Sequence, residues 1–179
     1  FIDKFSFSSD GNATNVGDLQ EGKSLAASGN SQTHGYVSGG TGNPIPATVV
    51  NRIEKFPFAI SAGTATTVGN LTGNVYATSG QSSSTHGYRA GGIDHSPAQP
   101  VNIIDKFPFS TDTNATDVGD ITATRSYLTG HSSNTHGYAS GGTPAFYVTI
   151  DKFPFSSDTN ASDVGDLVSG RYGTAGSQG

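Results

Sequence analysis

Residues 150–167 have the sequence Ile-Asp-Lys-Phe-Pro-Phe-Ser-Ser-Asp-Thr-Asn-Ala-Ser-Asp-Val-Gly-Asp-Leu, and similar stretches begin at residues 2, 53 and 104. A second phrase, Thr-His-Gly-Tyr followed two residues later by Gly-Gly, occurs three times, beginning at residues 33, 85 and 135. Self-similarity at a period of roughly 20 to 50 residues is typical of stacked repeats and propeller blades. We therefore predict one repeat array over residues 1–179, with units starting at about residues 2, 53, 104 and 150 and the last unit truncated.

The composition argues against several classes of site and partner. The chain has no Cys, Met or Trp and a net charge of -5, so neither a disulfide framework nor a thiolate metal site is available. It contains no run of Lys or Arg, so nucleic acid is not an expected partner. No apolar stretch approaches the roughly 18 to 20 residues of a spanning helix, so no membrane span is expected. We also expect no cofactor.

The third unit predicts four strands, at residues 125–130, 137–142, 147–155 and 161–167. Strand alternation places Phe153 and Phe155 on one face, and the opposite face is also partly apolar. Apolar area on both faces favours a sheet sandwiched between two neighbouring sheets. The fold class is therefore all-β, a β-propeller of four-stranded antiparallel blades, with about four repeats visible as in a fragment of a larger ring.

The same phrases resemble the kelch repeat. The resemblance is carried by a Gly-Gly doublet that ends a strand, an aromatic residue three positions earlier, and an Arg that opens the innermost strand: Gly39-Gly40, Gly91-Gly92, Gly141-Gly142, Tyr36, Tyr88, Tyr138, Arg125 and Arg171. The chain departs from the family on the fourth strand, where Val-Gly-Asp-Leu replaces an aromatic residue. Kelch propellers usually have more blades than are visible here, so the resemblance implies closure by more chain or by a homo-oligomer.

A second resemblance concerns the turn between the third and fourth strands. Residues 8–14, 110–116 and 156–162 are similar to the Asp-boxes of sialidase-type propellers, although Asn replaces Gly and the Trp is absent. Asp and Asn side chains bond to nearby backbone N–H groups, so we expect Asp10, Asp112 and Asp158 to fix this turn. A calcium loop is the alternative, but it would need more oxygen ligands than these stretches supply.

The full wording of the repeat is similar to repeat proteins of marine tailed phages, notably cyanophages. In those proteins, such arrays are associated with virion appendages. This resemblance implies a virion or extracellular location, with other virion proteins and a host surface glycan or receptor as partners.

Three recurring histidines, His34, His86 and His136, are the sharpest chemical candidates. On blades around an axis, equivalent imidazoles would form a ring that could bind a metal. The favoured alternative is that each histidine packs or hydrogen-bonds at the turn between strands one and two. No carboxylate accompanies them at ligand spacing, so we expect no metal site.

Each unit also carries an acidic residue followed by Lys, at residues 3–4, 54–55, 105–106 and 151–152. Adjacent strand residues point to opposite faces, so the two charges cannot act on one substrate. We expect them to be blade-edge charges that discourage edge-to-edge association.

The connection between strands two and three varies in length and chemistry from unit to unit. Scaffolds often carry function on such loops. If the protein binds a ligand, the site is expected on this rim, with these candidate residues: Asn43, Ile45, Asp94, His95, Gln99 and Phe146. Neutral drift of these loops is the alternative.

Three functions are compatible with the sequence. The favoured one is a non-enzymatic structural or adhesive virion protein, such as a tail fibre or surface decoration, whose polar surface and copy number suit multivalent recognition. The second is a cellular kelch-type interaction module. A propeller glycosidase is weaker because a sialidase needs a cluster of Arg residues, and an oxidase of the kelch type would need a Cys.

Overall fold

The computed structural model describes residues 1–42 and 48–176. All of the regular secondary structure in these residues is β-strand, grouped in small antiparallel sheets. Sheet I contains β3 (Ala27–Asn30), β4 (His34–Ser38), β5 (Arg52–Pro57) and β6 (Thr66–Asn70). Sheet II contains β8 (Ser79–Ser82), β9 (His86–Ala90), β12 (Ile103–Pro108) and β13 (Thr116–Asp120). Sheet III contains β14 (Thr129–Ser132), β15 (His136–Ser140), β16 (Thr149–Pro154) and β17 (Ser162–Asp166).

Two smaller sheets complete the fold. The strands β1 (Ile2–Lys4) and β2 (Thr14–Gly17) form a hairpin, and β7 (Val75–Tyr76) pairs with a hairpin of β10 (Ile93–His95) and β11 (Ala98–Pro100). Within the described residues there is no helix with the length and hydrophobicity to cross a bilayer. The all-β prediction is confirmed.

The prediction of four antiparallel strands in the third unit is confirmed, with one shift in the first strand. That strand begins at Thr129 rather than at Arg125. The shift follows from Tyr127, whose φ of 55° breaks the extended backbone, and from a bridge between Ser126 and Thr143. Positive φ is uncommon for residues other than glycine, and Leu25 and Ala77 adopt it at the equivalent positions.

Two hydrophobic cores lie between the sheets. Tyr36 of sheet I packs on Phe107 and Phe109 of sheet II, with ring centroids 5.7 and 4.6 Å apart. Tyr88 of sheet II packs on Phe153 and Phe155 of sheet III at 5.6 and 4.8 Å. The prediction that each Phe pair shares one face and is covered by a neighbouring unit is confirmed for these two pairs, whereas Phe5 and Phe7 are exposed.

The first strands of the sheets approach one another closely. A Cβ atom on Gly80 would collide with the carbonyl oxygen of Ser28, and one on Gly130 would collide with that of Gly80. Hydroxyls span the same contact, because Ser82 Oγ accepts from Asn30 N at 2.9 Å and Ser132 Oγ accepts from Ser82 N at 3.0 Å. Only glycine allows this spacing at the contact point.

A buried carboxylate joins each sheet to the linker that enters it. The carboxylates of Asp105 and Asp151 are fully buried and pair with the guanidinium groups of Arg89 and Arg125. The same carboxylates accept hydrogen bonds from the backbone N–H and the hydroxyl of Thr72 and Thr122 respectively. In sheet I, Glu54 has this role: one oxygen accepts from Gln20 N at 2.9 Å, and the other lies 2.6 Å from Lys23 Nζ, in ionic contact although outside hydrogen-bond angles.

The prediction that the acidic-Lys dipeptides are edge charges is therefore wrong for the three sheets. The acidic member faces the preceding linker, and the following Lys faces the next sheet, where Lys55 and Lys106 pair with Asp112 and Asp158 at 2.6 and 2.5 Å. The expectation that the two side chains point to opposite faces is correct. In sheets I and II both faces are covered, so both charges lie between sheets.

The cation of the buried pair comes from two different positions. In sheets I and III it comes from the linker, as Lys23 and Arg125, and the second strand then carries Val37 and Ala139. In sheet II the linker carries Val75, and the second strand supplies Arg89 instead. The cation and the apolar residue have exchanged places, so each buried carboxylate keeps one partner.

We expect Gly80→Ala to lower the free energy of unfolding by about 1–3 kcal/mol, the usual cost of overpacking. Gly11→Ala is the matched control because a Cβ at Gly11 meets nothing within 4 Å. Denaturant unfolding of both variants measures the difference, and equal stability would contradict the close packing of the first strands.

Arg89→Ala is expected to cost about 3–5 kcal/mol because it leaves the Asp105 carboxylate buried without a counter-charge. Val75→Arg combined with Arg89→Ala reproduces the arrangement of sheet III and should restore a large part of this loss. Val75→Lys combined with Arg89→Val reproduces the arrangement of sheet I. This second double variant is included because the arginine side chain at position 75 of the first double variant could pack poorly. If neither double variant is more stable than Arg89→Ala in denaturant unfolding, the two cation positions are not interchangeable.

Candidate functional site

The three sheets have two chemically different ends. One end, here called the turn end, carries the turns between the first and second strands of each sheet and those between its third and fourth strands. The other, here called the loop end, carries the connections between the second and third strands of each sheet. Candidate binding residues lie at both ends, because antiparallel strands bring alternate connections to opposite edges.

A polar cavity of about 400 Å³ lies at the turn end, between the first turns of the three sheets. It is lined by residues 30–32, 82–84 and 132–134, which are Ser, Asn and Gln throughout. Each turn is closed by its own serine, since Ser31, Ser83 and Ser133 accept from the N–H of the histidine three residues later at 2.9–3.1 Å. The lining therefore offers hydroxyls and amides without a formal charge.

A groove of about 450 Å³ adjoins these turns between sheets I and II. His34 and His86 lie on its walls, with Tyr36 and the half-buried Phe109. Burial raises the pKa of Tyr36 and raises that of Tyr88, the equivalent residue of the next sheet, to about 12. Both phenols therefore stay neutral at physiological pH and keep a hydroxyl that donates and accepts hydrogen bonds.

The three histidines have the same local partner. Nδ1 of His34, His86 and His136 lies 2.8 Å from Oγ1 of the preceding threonine. This is the hydrogen-bonded turn position that the sequence favours for them. Burial, with a contribution from the Lys106 charge, holds the pKa of His86 below its ordinary value of 6.5. Over residues 1–42 and 48–176 the structure brings together no group of three or more His, Cys, Asp or Glu side chains that could hold a metal ion.

The Asp and Asn side chains of the second turn act between sheets rather than within their own turn. Asp112 and Asp158 pair with Lys55 and Lys106 of the preceding sheet. Asn114 Oδ1 accepts from Asn70 N at 3.0 Å, and the equivalent Asn160 Oδ1 accepts from Asp120 N at 3.1 Å. The expectation that these side chains fix their own turn is therefore wrong for the pairs seen here, because the turn lies against the neighbouring sheet. Asp10 is exposed.

The predicted loop residues lie at the loop end. Asp94 and His95 lie in β10, and Gln99 lies in β11; His95 and Gln99 are exposed, while Asp94 Oδ1 accepts from Ser96 N at 3.1 Å. Phe146 is also exposed, with its ring 5.3 Å from that of Tyr172. Asn43 and Ile45 lie outside the described residues.

The turn residues that line the polar cavity are not among the candidates predicted from the sequence. A signal was available, because the serine two residues before each Thr-His-Gly-Tyr phrase recurs in all three units as Ser31, Ser83 and Ser133. The pattern alone could not show that the three turns converge, because convergence depends on how the sheets pack against one another.

Comparison with known proteins gives no family assignment: no family model matches the chain, and no curated protein matches it.

The imidazole of His86 should titrate below pH 6.5 in the folded protein. Because its pKa is lower in the folded than in the unfolded state, the unfolded state binds more protons as the pH falls. The free energy of unfolding should therefore decrease as the pH falls below about 6.5.

Lys106→Gln removes the positive charge that lowers the pKa of His86 and leaves Asp158 without its partner, so it should move the titration midpoint of His86 upward. Lys152→Gln is the control. Proton NMR titration of the histidine ring signals measures these midpoints, and an unchanged midpoint in Lys106→Gln would contradict the contribution of the Lys106 charge.

Proposed function

We propose that this chain is a non-enzymatic structural or adhesive protein of a virion, built as a kelch-like β-propeller, whose turn end binds a host surface glycan or receptor. The observation that carries the proposal is the uncharged polar cavity formed by three equivalent turns, with a histidine- and tyrosine-lined groove beside it. The location and the partners rest on the resemblance to phage repeat proteins.

The propeller part is supported by the equivalence of successive contacts. Ala77 N donates to Leu25 O at 2.8 Å, Tyr127 N to Ala77 O at 2.8 Å, and Gly173 N to Tyr127 O at 3.0 Å. Each sheet thus meets the next through the same atoms. A constant step between equal units is what produces a propeller or another regular array.

The ligand class is supported by the chemistry of the turn end. Ser, Thr, Asn and Gln side chains donate and accept hydrogen bonds but carry no charge, which suits the hydroxyl groups of a neutral saccharide. The apolar surface beside them is small and aromatic, as expected for a site that orients a ligand with a few polar groups. Single sites of this kind are weak, so several copies on one particle would supply the strength by avidity.

Binding is tested by presenting immobilised neutral host-surface polysaccharide to the purified chain, alone and coupled to beads at high density. The bead-coupled form should bind at least about 100-fold more strongly through avidity. Gln32→Ala with Asn134→Ala at the turn end should reduce binding of the single chain about tenfold, a loss of about 1.4 kcal/mol. His95→Ala with Gln99→Ala at the loop end is the matched control and should leave binding unchanged.

Several results would overturn the proposal. Loss of binding only in the loop-end control would move the site to the rim between strands two and three, where a protein-interaction module would bind. Release of reducing ends from the polysaccharide would show glycosidase activity. Finding the chain in infected cytoplasm but not on purified particles would remove the virion assignment.

A further inference from the structure

The hairpin of β1 and β2 has the geometry of the outer half of another four-stranded sheet. Lys4 pairs with Thr14 as Lys106 pairs with Thr116, and the same irregularity follows Ile2 as follows Ile104. The hairpin also docks on sheet I as sheet I docks on sheet II, since Ala65 N donates to Asp18 O and Ala115 N donates to Asn70 O, both at 2.8 Å.

The edge of β1 that faces away from β2 has no strand partner among residues 1–42 and 48–176. In sheets II and III the equivalent edge pairs with the second strand, whose Gly87 or Gly137 lies against the ring of Phe107 or Phe153. Those rings are 3% and 2% exposed, whereas the equivalent Phe5 is 61% exposed. An open edge with an uncovered apolar ring is a template for strand pairing.

Residues 171–176 occupy the place of a linker and a first strand of the sheet whose third and fourth strands are β1 and β2. The position of the second strand, between residues 174–176 and β1, is open among the described residues. Gly142 N donates to Arg171 O at 2.9 Å, as Gly92 N donates to Arg125 O at 2.8 Å. A Cβ on Gly176 would collide with the carbonyl oxygen of Gly130, as one on Gly130 would collide with that of Gly80. This segment therefore follows sheet III by the step that relates sheet III to sheet II.

Two cavities connect these elements. One, of about 570 Å³, is lined by Thr174–Gly176 together with Phe56, Phe58 and residues 35–37. The other, of about 260 Å³, is lined by β1 and by the same two rings. Phe107 and Phe109, the equivalents of Phe56 and Phe58, are covered by Tyr36 from the second strand of the preceding sheet.

We propose that β1, residues 174–176 and the Phe56–Phe58 surface form an acceptor site for one extended segment of the type Thr-His-Gly-Tyr-x-x-Gly-Gly. The segment adds to β1 as an antiparallel strand, its glycine lies on the ring of Phe5, and its tyrosine packs on Phe56 and Phe58. Main-chain hydrogen bonds provide the affinity of such strand addition, and the side-chain pockets provide the specificity.

The buried ion pair narrows the choice of segment. Asp3 stands at the position of Asp105 and Asp151 but is exposed, and Arg171 stands at the position of Arg125. Arg171 now bonds only to Ser169, through Nε at 3.4 Å and Nη2 at 3.1 Å, among the contacts described for its side chain. Arg171 can supply the cation to Asp3 from the linker, so the incoming strand should carry alanine or valine, as at Ala139, rather than arginine, as at Arg89.

The test uses a synthetic peptide with the sequence of residues 133–142 and the full 179-residue chain. Titration calorimetry should show saturable binding with one peptide per chain. Hydrogen exchange should slow at the backbone amides of residues 2–6. The peptide with Gly137→Ala collides with the ring beneath it, and the peptide with Tyr138→Ser loses the aromatic contact, so each should bind at least about tenfold more weakly.

Phe5→Ala in the protein is expected to weaken binding of the unsubstituted peptide of residues 133–142. It should leave the thermal unfolding midpoint of the chain unchanged, because Phe5 is exposed in the absence of the segment. Arg171→Ala removes the linker cation, as in sheet II, and should reverse the preference, so that the peptide of residues 83–92, which carries Arg89, binds more tightly than that of residues 133–142. Equal binding of a scrambled peptide would overturn the proposal. So would a concentration-dependent dimer in sedimentation that excess peptide does not dissociate, since a second copy would then occupy the surface. Glycan binding at the turn end is measured separately, so either proposal can fail without the other.

Discussion

The arrangement of the sheets depends on a carboxylate buried where each linker enters a sheet. Asp105 and Asp151 each hold a guanidinium group and two groups of a threonine in a site that excludes water. A buried charge is tolerated only when it is paired and hydrogen-bonded. The linker, the third strand and the cation must therefore be in place together, and this requirement fixes how one sheet follows another.

The exchange of positions between sheets shows which part of this site is constrained. Lys23 and Arg125 come from linkers, whereas Arg89 comes from a strand, yet all three reach the equivalent carboxylate. The charge pairing is kept while the origin of the cation changes. In each unit an apolar residue, Val37, Val75 or Ala139, stands at the position that does not supply the cation.

The candidate ligand site is a consequence of this packing. The first strands contact one another through Gly80 and Gly130 and through the hydroxyls of Ser82 and Ser132. That contact brings three Ser-rich turns around one cavity, although they lie about 50 residues apart in sequence. The acceptor surface at β1 depends on the same repeated packing. The β1–β2 hairpin contacts sheet I, and residues 171–176 contact sheet III, as the equivalent parts of a complete sheet do, and the unpaired edge of β1 lies between them.

The amino-acid sequence predicts the repeat, the all-β class, the four strands of a unit and the shared face of the Phe pairs. These features are local or periodic, and strand alternation translates them directly into structure. It also identified the turn position of the histidines. Three further features depend on how the sheets pack: the acidic-Lys dipeptides of sheets I and II lie between sheets, Asp112 and Asp158 bond to a neighbouring sheet, and the turns converge on one cavity. Each of these depends on the angle and distance between separate sheets, which are set by long-range contacts such as Gly80 on Ser28 and Asp105 with Arg89, and no local pattern encodes them.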